Sequence, residues 1–257
     1  MHAALVNSWG SPPTYTTTDD LPPPSPTQIR LRVLAAGVHR LVLSRAAGTH
    51  YTSTTLPHLP GADGVGEDPT TGQRYYFTAL ATGSFAEFVN IERSLVAPLP
   101  KTADSVAVAA YTNPVMSSWM AFAARTAAQK PGFSVAILGV TSASGRVAVD
   151  VARAKGAGRV VGIARNAAAM AEIALDERIV LAGGETDWSK LGEVDVVLDY
   201  VYGPRSLNYS RRCLNLREKC SLCMSAPCLV MEISVFLGPS CGVRELRSVA
   251  LVQGAGR

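Results

Sequence analysis

Residues 138–146, with the sequence LGVTSASGR, combine small hydroxyl side chains and glycines between an apolar run and a helix-like run. A strand, a glycine turn and a helix start can bind a phosphate, because amide N–H groups at a helix N-terminus point at the anion. Gly139 would form the bend and Gly145 would allow close helix–strand packing. The position where glycine usually lets the backbone approach pyrophosphate holds Ser142 instead, which leaves open a weakened site. The predicted cofactor-binding residues of this turn are Gly139, Thr141, Ser142, Ser144, Gly145 and Arg146.

The end of the next apolar run, RVVGIA, carries the second clue. An acidic residue there would bind a ribose 2′-hydroxyl, but the chain has Ala164, Arg165 and Asn166. The planar guanidinium of an arginine pairs well with phosphate oxygens. Arg165 therefore favours NADP(H) over NAD(H), with a solvated arginine at a strand end as the alternative.

Four polar residues are candidates for the reaction itself, namely His39, Tyr51, Asn113 and Ser117. His39 could donate a proton to a developing enolate or alkoxide, or it could be a structurally hydrogen-bonded histidine in a turn. Asn113 could contact substrate or cap a helix that begins near Pro114. Asp63 could simply brace its glycine-rich turn.

Other chemistries lack the residues they need. The sequence has no G-x-S-x-G, H-E-x-x-H or G-x-x-x-x-G-K-[ST] motif, and its four histidines all precede residue 60. The five cysteines lie between Cys213 and Cys241, where CSLC suggests a zinc or redox pair. No second C-x-x-C or histidine cluster follows at zinc-site spacing, so a segment of unusual composition is the favoured interpretation.

Composition describes a globular chain without a strong electrostatic partner. The 257 residues are 47% apolar and 17% charged, with a formal net charge of +4. Dispersed Lys and Arg do not indicate nucleic acid binding. The N-terminus lacks the pattern of a secretory signal, and no apolar run reaches the ~18 residues of a membrane helix. We therefore expect a cytoplasmic protein that acts on a small molecule, away from nucleic acids and membranes.

Two different sequence patterns divide the chain. The first half has short strands separated by glycine and proline, which is typical of a small irregular β-barrel. From Phe133, continuous apolar strands alternate with helices, which predicts a doubly wound parallel sheet. The predicted fold class is thus α/β, with domains at 1–115 and 116–257 and an atypical insertion at 205–228.

The ordered set of segments resembles the medium-chain dehydrogenase/reductase superfamily, in its zinc-free quinone-oxidoreductase-like branch. The stretches that carry this resemblance are LRVLAAGVH, LPGADGVGE, GSFAEFV, NPVMSSWMAF, ILGVTSASGRVAVDVARAKGAGRVVGIAR, VDVVLDYVYGP, EISVFLGP and LVQGAGR. The resemblance implies a GroES-like β-barrel domain, a Rossmann domain, and NADPH-dependent reduction of a carbonyl, quinone or activated C=C. Tyr202, after the fourth predicted Rossmann strand, would line the nicotinamide ribose.

The chain departs from this family in three places. His39 stands where zinc-type relatives carry a cysteine, so no zinc is expected. Ser142 replaces a glycine, and the chain stops before the elements that complete the barrel domain in relatives. A cofactor-independent lyase, isomerase or cyclase, or an inactive truncated product, therefore stays open as an alternative. The resemblance also implies a homodimer through the last strand, SVALVQGAG, which would otherwise be an exposed apolar edge.

Overall fold

The computed structural model describes residues 1–124, 129–182 and 185–201, together with the backbone of strands 223–225, 232–235 and 247–250. Contacts divide the chain into two compact units, Met1–Asn113 and Pro114–Arg257. Among the described residues, no helix is both long enough and apolar enough to cross a membrane.

The first unit is built on an antiparallel sheet of five strands in the order β6-β3-β4-β5-β7, beside a β1-β2 hairpin. Its strands are β1 (His2–Leu5), β2 (Thr14–Thr17), β3 (Gln28–Ala36), β4 (Asp63–Glu67), β5 (Arg74–Thr78), β6 (Phe88–Glu92) and β7 (Val96–Pro98). Alternation along β3 buries Ile29 and Leu31 against Phe77, Val89 and Ile91. The sequence QIRLRVLAAG shows this alternation of apolar and polar residues, which predicts a strand.

Two elements of this unit differ from the sequence predictions. The sequence SPPTYTTTDDLPPPSP predicts a proline-rich loop, but β2 lies within it and pairs with β1. A short helix, α1 (Arg40–Ala46), follows His39 where no helix was predicted. At seven residues α1 is too short to show a clear helical period, and it is held by burial of Val42 and Arg45.

Helix α2 (Ser105–Ala124) corrects the prediction of a helix start near Pro114. The helix begins nine residues earlier, where the Asp104 carboxylate accepts hydrogen bonds from the amides of Val106 and Ala107 at 2.8 and 3.0 Å. Asn113 therefore lies inside the helix and does not cap it, and Pro114 is accommodated within it. The division between the two units falls at this same Asn113–Pro114 step.

The second unit is built around a seven-stranded sheet with the order β10-β9-β8-β11-β12-β13-β14. Its elements after α2 are β8 (Ser134–Leu138), α3 (Ala143–Ala154), β9 (Arg159–Ala164), α4 (Ala167–Ala171), β10 (Glu177–Val180), β11 (Val196–Asp199), β12 (Cys223–Ser225), β13 (Glu232–Val235) and β14 (Arg247–Ala250). The five strands from β10 to β12 are parallel to one another, which is the doubly wound arrangement.

The far edge of this sheet departs from the predicted parallel pattern. β13 pairs antiparallel with β12, and β14 pairs antiparallel with β13. Most of the predicted insertion, 205–228, lies outside the described residues, apart from the backbone of β12. The CSLC motif likewise falls outside the residues whose side chains are described.

The sequence NAAAMAEIALDE predicts a helix over residues 166–177, but helix α4 ends at Ala171. The carbonyl groups of Met170, Ile173 and Leu175 accept hydrogen bonds from the Arg178 guanidinium at 3.0, 2.6 and 3.2 Å. Because a side chain on β10 satisfies these carbonyls, the backbone does not need helical hydrogen bonds there. The local helical pattern of the sequence does not show that the Arg178 side chain takes the place of helical backbone hydrogen bonds.

Candidate functional site

The turn between β8 and α3 has the shape that a phosphate-binding turn requires. Gly139 has a φ of +80°, a left-handed conformation that a side chain would strain. At Gly145 a Cβ atom would lie 2.3 Å from the carbonyl oxygen of Gly139, so only glycine allows this approach of helix to turn. The two glycines therefore form the bend and the close packing for different physical reasons.

Ser142 caps helix α3. Its side-chain oxygen accepts a hydrogen bond from the amide of Gly145 at 3.0 Å, with the extended backbone of an N-cap residue. The side chain is exposed, and its hydroxyl proton is free to donate. Serine at this position thus stabilises the helix start, where glycine would leave it without a side-chain cap.

The donor set of this turn fits an anionic group such as a cofactor phosphate. The amides of Ala143 and Ser144, in the first turn of α3, donate to no acceptor among the described residues. Unpaired amides at the start of a helix, next to the positive end of its dipole, favour a negative ligand. Thr141 and Ser144 add partly exposed hydroxyl groups to the same turn.

Arg146 and Arg165 differ in their surroundings. Arg165 is exposed at the carboxyl end of β9, with no hydrogen bond or ion pair to another described residue. Arg146 donates to the carbonyl of Ala169 at 3.4 Å and lies 3.7 Å from the carboxylate of Glu172. Arg165 is therefore available to a ligand, whereas Arg146 already bridges α3 to the α4 segment.

The end of β11 lies beside the phosphate turn. A Cβ atom on Gly139 would lie 3.1 Å from Val201 and 3.4 Å from Tyr200, so the two segments are in close contact. β8 and β11 are adjacent parallel strands at which the strand order reverses, and folds of this type bind ligands at that point. Tyr202, predicted to line the ribose, lies outside the described residues.

Ser117 joins the same region of the second unit. Its hydroxyl lies 3.4 Å from the Tyr200 hydroxyl and donates to the carbonyl of Pro114 at 3.0 Å. Burial raises the pKa of the Tyr200 phenol, so this group stays protonated. Ser117 and Tyr200 thus form a neutral hydroxyl pair packed beside β11.

His39 lies in the first unit, in a hydrogen-bond network of which the sequence predicted only a part. Its Nε2 atom is 3.0 Å from Oδ1 of Asp63, and the Tyr76 hydroxyl donates to Oδ2 of the same carboxylate at 2.9 Å. Asp63 is 2% exposed. It was expected to brace its turn, and it also links two side chains. The sequence RYYFT indicates a strand and the face of the sheet on which Tyr76 lies, but it does not indicate which residue Tyr76 contacts.

Tyr51 and Asn113 lie elsewhere in the first unit. Tyr51 is exposed, and its ring lies 4.4 Å from the ring of His50. Asn113 is half-buried in the middle of α2. His39, Tyr51 and Asn113 belong to the first unit, whereas Ser117 and the phosphate turn belong to the second. Within the described part of the chain, no group of three or more His, Cys, Asp or Glu residues could hold a metal ion.

A five-stranded antiparallel unit followed by a doubly wound sheet with a glycine turn after β8 defines a two-domain architecture whose second domain has a nucleotide-binding type of fold. Solved structures share it. The quinone oxidoreductase of Thermus thermophilus matches with a TM-score of 0.67 and 24% identity, covering 82% of this chain and 70% of that one. An alcohol dehydrogenase superfamily protein from Novosphingobium aromaticivorans matches with a TM-score of 0.72 and 23% identity, covering 89% and 73%. The predicted combination of a GroES-like barrel and a Rossmann domain is confirmed.

Sequence relatives place the chain more closely. A probable NADPH-dependent quinone reductase of Emericella nidulans is 41% identical over 245 residues, which cover 79% of this chain and 68% of the relative. The human quinone oxidoreductase is 28% identical over 167 residues, and the match spans half of its length. No family model matches the chain. The protein belongs to the quinone-oxidoreductase-like branch of the medium-chain dehydrogenase/reductase superfamily.

Proposed function

We propose that the protein is an NADPH-dependent, zinc-independent oxidoreductase that reduces a quinone, a carbonyl or an activated C=C bond of a small organic substrate. The observation that carries this proposal is the β8–α3 turn, where Ser142 caps the helix while the amides of Ala143 and Ser144 keep free N–H groups. The Emericella nidulans relative is named as an NADPH-dependent quinone reductase, which supports the same conclusion. The cofactor, when bound, supplies the hydride.

In this proposal the phosphates are held by the turn and the 2′-phosphate by Arg165. The pyrophosphate would accept hydrogen bonds from the amides of Ala143 and Ser144 and from the hydroxyls of Thr141, Ser142 and Ser144. Arg165 is exposed and has no protein partner in the described part of the chain, which suits a residue that waits for a phosphate. Arg146 would act at a distance, by holding the α4 segment beside the turn.

The domain roles follow from these placements. Residues 116–257 would bind the cofactor, and residues 1–115 would contribute polar groups to the substrate. Among those groups His39 is the strongest candidate because its ring is buried in a defined network, whereas Tyr51 is exposed and Asn113 lies within α2. In the second unit, Ser117 and Tyr200 would present hydroxyl groups near the end of β11.

The relatives favour a reductase over the alternatives. They are named as quinone reductases and oxidoreductases, which gives no support to a lyase, an isomerase, a cyclase or an inactive product. The turn geometry agrees, since Ser142 strengthens the helix start. A cytoplasmic location and a lack of nucleic acid or membrane partners remain predictions from the sequence.

We also propose a homodimer through β14. This strand ends the described seven-stranded sheet, and pairing of two such edges would extend the sheet across a twofold axis. Light scattering coupled to size exclusion should give the mass of a dimer, and a monomeric mass would count against this proposal.

Steady-state oxidation of NADPH tests the proposed activity. With para-benzoquinone or phenanthrenequinone as the acceptor, NADPH consumption should exceed the enzyme-free rate and saturate in both substrates. Arg165→Ala should raise the KM for NADPH without abolishing turnover. A rate equal to the enzyme-free reaction with quinone, enone and aldehyde acceptors would contradict the proposed reductase.

A further inference from the structure

The segment of residues 48–61 connects α1 to β4 in the first unit and contains two of the four histidines, His50 and His58. The whole of His50 is only 3% exposed. In both rings the Nε2 atom is buried and has no hydrogen-bond partner among the described residues. Buried polar atoms are nearly always hydrogen-bonded, so this segment contains two ring nitrogens whose burial is unfavourable.

The charge that acts on both rings is the guanidinium of Arg45, on α1. Arg45 is itself 3% exposed, and its Nη1 donates to the carbonyl of Gly61 at 2.9 Å. It forms no ion pair with an acidic side chain of the described residues. Burial, and then the charge of Arg45, lowers the pKa of His50 and of His58. A proton on either ring would add a second positive charge beside a buried cation.

Two aromatic side chains pack against the histidine rings. The Tyr51 ring centroid lies 4.4 Å from that of His50, and the Trp9 ring centroid lies 5.6 Å from that of His58. Trp9 also covers the start of the segment, because a Cβ atom on Gly48 would lie 2.7 Å from its ring. Tyr51 adds a phenol and Trp9 adds no titratable group. Among the described residues, Arg45 is therefore the charge that faces the two rings.

The backbone determines which nitrogen of His50 carries the proton. The amide of Thr52 donates to Nδ1 at 3.2 Å, and the Thr52 hydroxyl lies 2.7 Å from the same nitrogen. An amide N–H can only donate, so Nδ1 must have its lone pair and Nε2 carries the proton of the neutral ring. A second proton would have to enter at Nδ1, where it would point at the Thr52 amide and break this contact.

Each histidine lies at an attachment point of the segment. The amide of Ser53 donates to the carbonyl of His50 at 2.8 Å, and the Ser53 hydroxyl donates to the carbonyl of Arg45 on α1 at 2.9 Å. At the other end, the backbone of His58 exchanges two hydrogen bonds of 2.9 Å with Val6. A change in either ring therefore acts where the segment is held to the rest of the unit.

We propose that the 48–61 segment is a pH-sensitive strap, closed while His50 and His58 are neutral and opened by their protonation. Neither ring needs a path to solvent in the closed form, because each takes up its proton after its attachment has opened. Closing then requires burial of a cation beside Arg45, so acid shifts the equilibrium toward the open segment. Tyr51 lies between His50 and Thr52 and is released with them. The switch requires neither cofactor nor substrate.

The linkage between opening and protonation sets the size of the effect. An open ring has the usual histidine pKa of about 6.5, whereas the closed ring has a lowered one. The stabilisation of the closed form is complete above that pH and is lost as the pH falls toward the lowered values. Between about pH 7.5 and pH 5.0 the opening equilibrium constant should rise by up to about 30-fold for each ring.

Hydrogen exchange measures this opening directly. When reclosing is faster than exchange, the rate of an amide relative to the unfolded chain gives the equilibrium constant of its opening. The amides of Ser53 and His58, which donate at the two attachment points, should lose at least about tenfold in protection between about pH 7.5 and pH 5.0. Both should also exchange at a rate that is nearly independent of urea below the unfolding transition, because a local opening exposes little surface.

The amides of β3 provide the internal reference, since this strand lies between β6 and β4 in the five-stranded sheet. Their exchange requires unfolding of the whole sheet, so their protection should fall steeply with urea. Equal urea dependence of the β3 and segment amides would overturn the proposal, because only global unfolding would then expose the two histidines. Unchanged protection of the segment between the two pH values would overturn it as well.

The variant His50→Asn/His58→Gln assigns the pH dependence to the two rings. In this variant the asparagine oxygen at position 50 can still accept from the Thr52 amide, but neither side chain titrates. The protection of the segment should then change by less than about threefold over the same pH range. His2→Gln, which removes a histidine of β1, is the matched control and should keep the wild-type dependence. A wild-type dependence in the double variant would overturn the proposal. If the double variant does not fold, the urea and pH dependence of the wild type still decides.

Discussion

The side-chain oxygen of Ser142 accepts a hydrogen bond from the amide of Gly145 at 3.0 Å. This contact explains how a turn with only two glycines keeps the geometry of a phosphate site. The side chain of the serine caps the first turn of α3, and Gly145 still packs against Gly139. The residue that weakened the sequence argument is therefore a helix cap.

Substitution of Ser142 separates capping from cofactor binding. Ser142→Ala should destabilise the protein by about 1 kcal/mol, the usual cost of a lost cap, while Ser142→Gly should cost only a few tenths. Urea unfolding measures both. Affinity for NADPH should fall by about tenfold in both variants, because each loses the hydroxyl that would donate to the pyrophosphate. A gain in affinity in Ser142→Gly would mean instead that the serine Cβ obstructs the pyrophosphate.

Gly145→Ala should damage the turn itself. The added Cβ would lie 2.3 Å from the backbone oxygen of Gly139, and a backbone atom cannot swing away. We expect a loss of about 1–3 kcal/mol in the free energy of unfolding together with a weaker affinity for NADPH. Ser144→Ala, at the neighbouring helical position, is the control and should unfold close to the wild type. Equal stability of the two variants would contradict the observed packing.

Arg165→Ala should change the choice of cofactor. Loss of a charged pairing worth about 1.5–3 kcal/mol should raise the Kd for NADPH by roughly 10- to 100-fold and leave the Kd for NADH nearly unchanged. Arg93→Ala, at an exposed arginine of the first unit, should alter neither affinity. Fluorescence titration measures both cofactors. Parallel weakening of NADPH and NADH would show that Arg165 does not read the 2′-phosphate.

The sequence predicted the elements whose pattern is local. β9 coincides with the apolar run RVVGIA, because buried parallel strands are continuous apolar runs. The prediction of a helix start near Pro114 was wrong, because asparagine followed by proline is a common helix start, yet here Asp104 caps one helix that runs through both residues. The short α4 depends on Arg178, a residue beyond the helix, so the local pattern predicted too many helical residues.

The candidate site was predictable only where its residues are close in the chain. Gly139, Ser142 and Gly145 lie in one turn, so their spacing was informative. His39 and Asp63 are 24 residues apart and meet where their segments approach in the barrel fold. No spacing in the sequence predicts that contact, nor the hydrogen bond of Tyr76 to the same carboxylate. Their roles in substrate and cofactor binding remain predictions.

Acidification should destabilise the protein through His50 and His58. Burial, and then the positive charge of Arg45, lowers the pKa of both rings. The unfolded chain then binds more protons than the folded one once the pH falls below the unfolded histidine pKa of about 6.5. The contribution of these two histidines to the free energy of unfolding is therefore complete above that pH. It is lost as the pH falls toward their lowered pKa values in the folded protein.

Urea unfolding between about pH 7 and pH 5 measures this loss, since carboxylates with lowered pKa values, such as Asp68 and Asp176, titrate below that window. The midpoint should fall across it in the wild type. In His50→Asn/His58→Gln the dependence should be flatter, whatever the stability at neutral pH. An identical slope in both proteins would mean that these rings are not the source.

Thermal unfolding in the presence of NADPH tests the central claim most directly. A ligand that binds only the folded protein stabilises it by about 2.7 kcal/mol at a concentration 100 times its Kd. We predict a Tm that rises steadily with NADPH concentration, a smaller rise with NADH at the same concentrations, and loss of the difference in Arg165→Ala. An unchanged Tm at millimolar NADPH would contradict a dinucleotide site at the β8–α3 turn, and with it the proposed reductase.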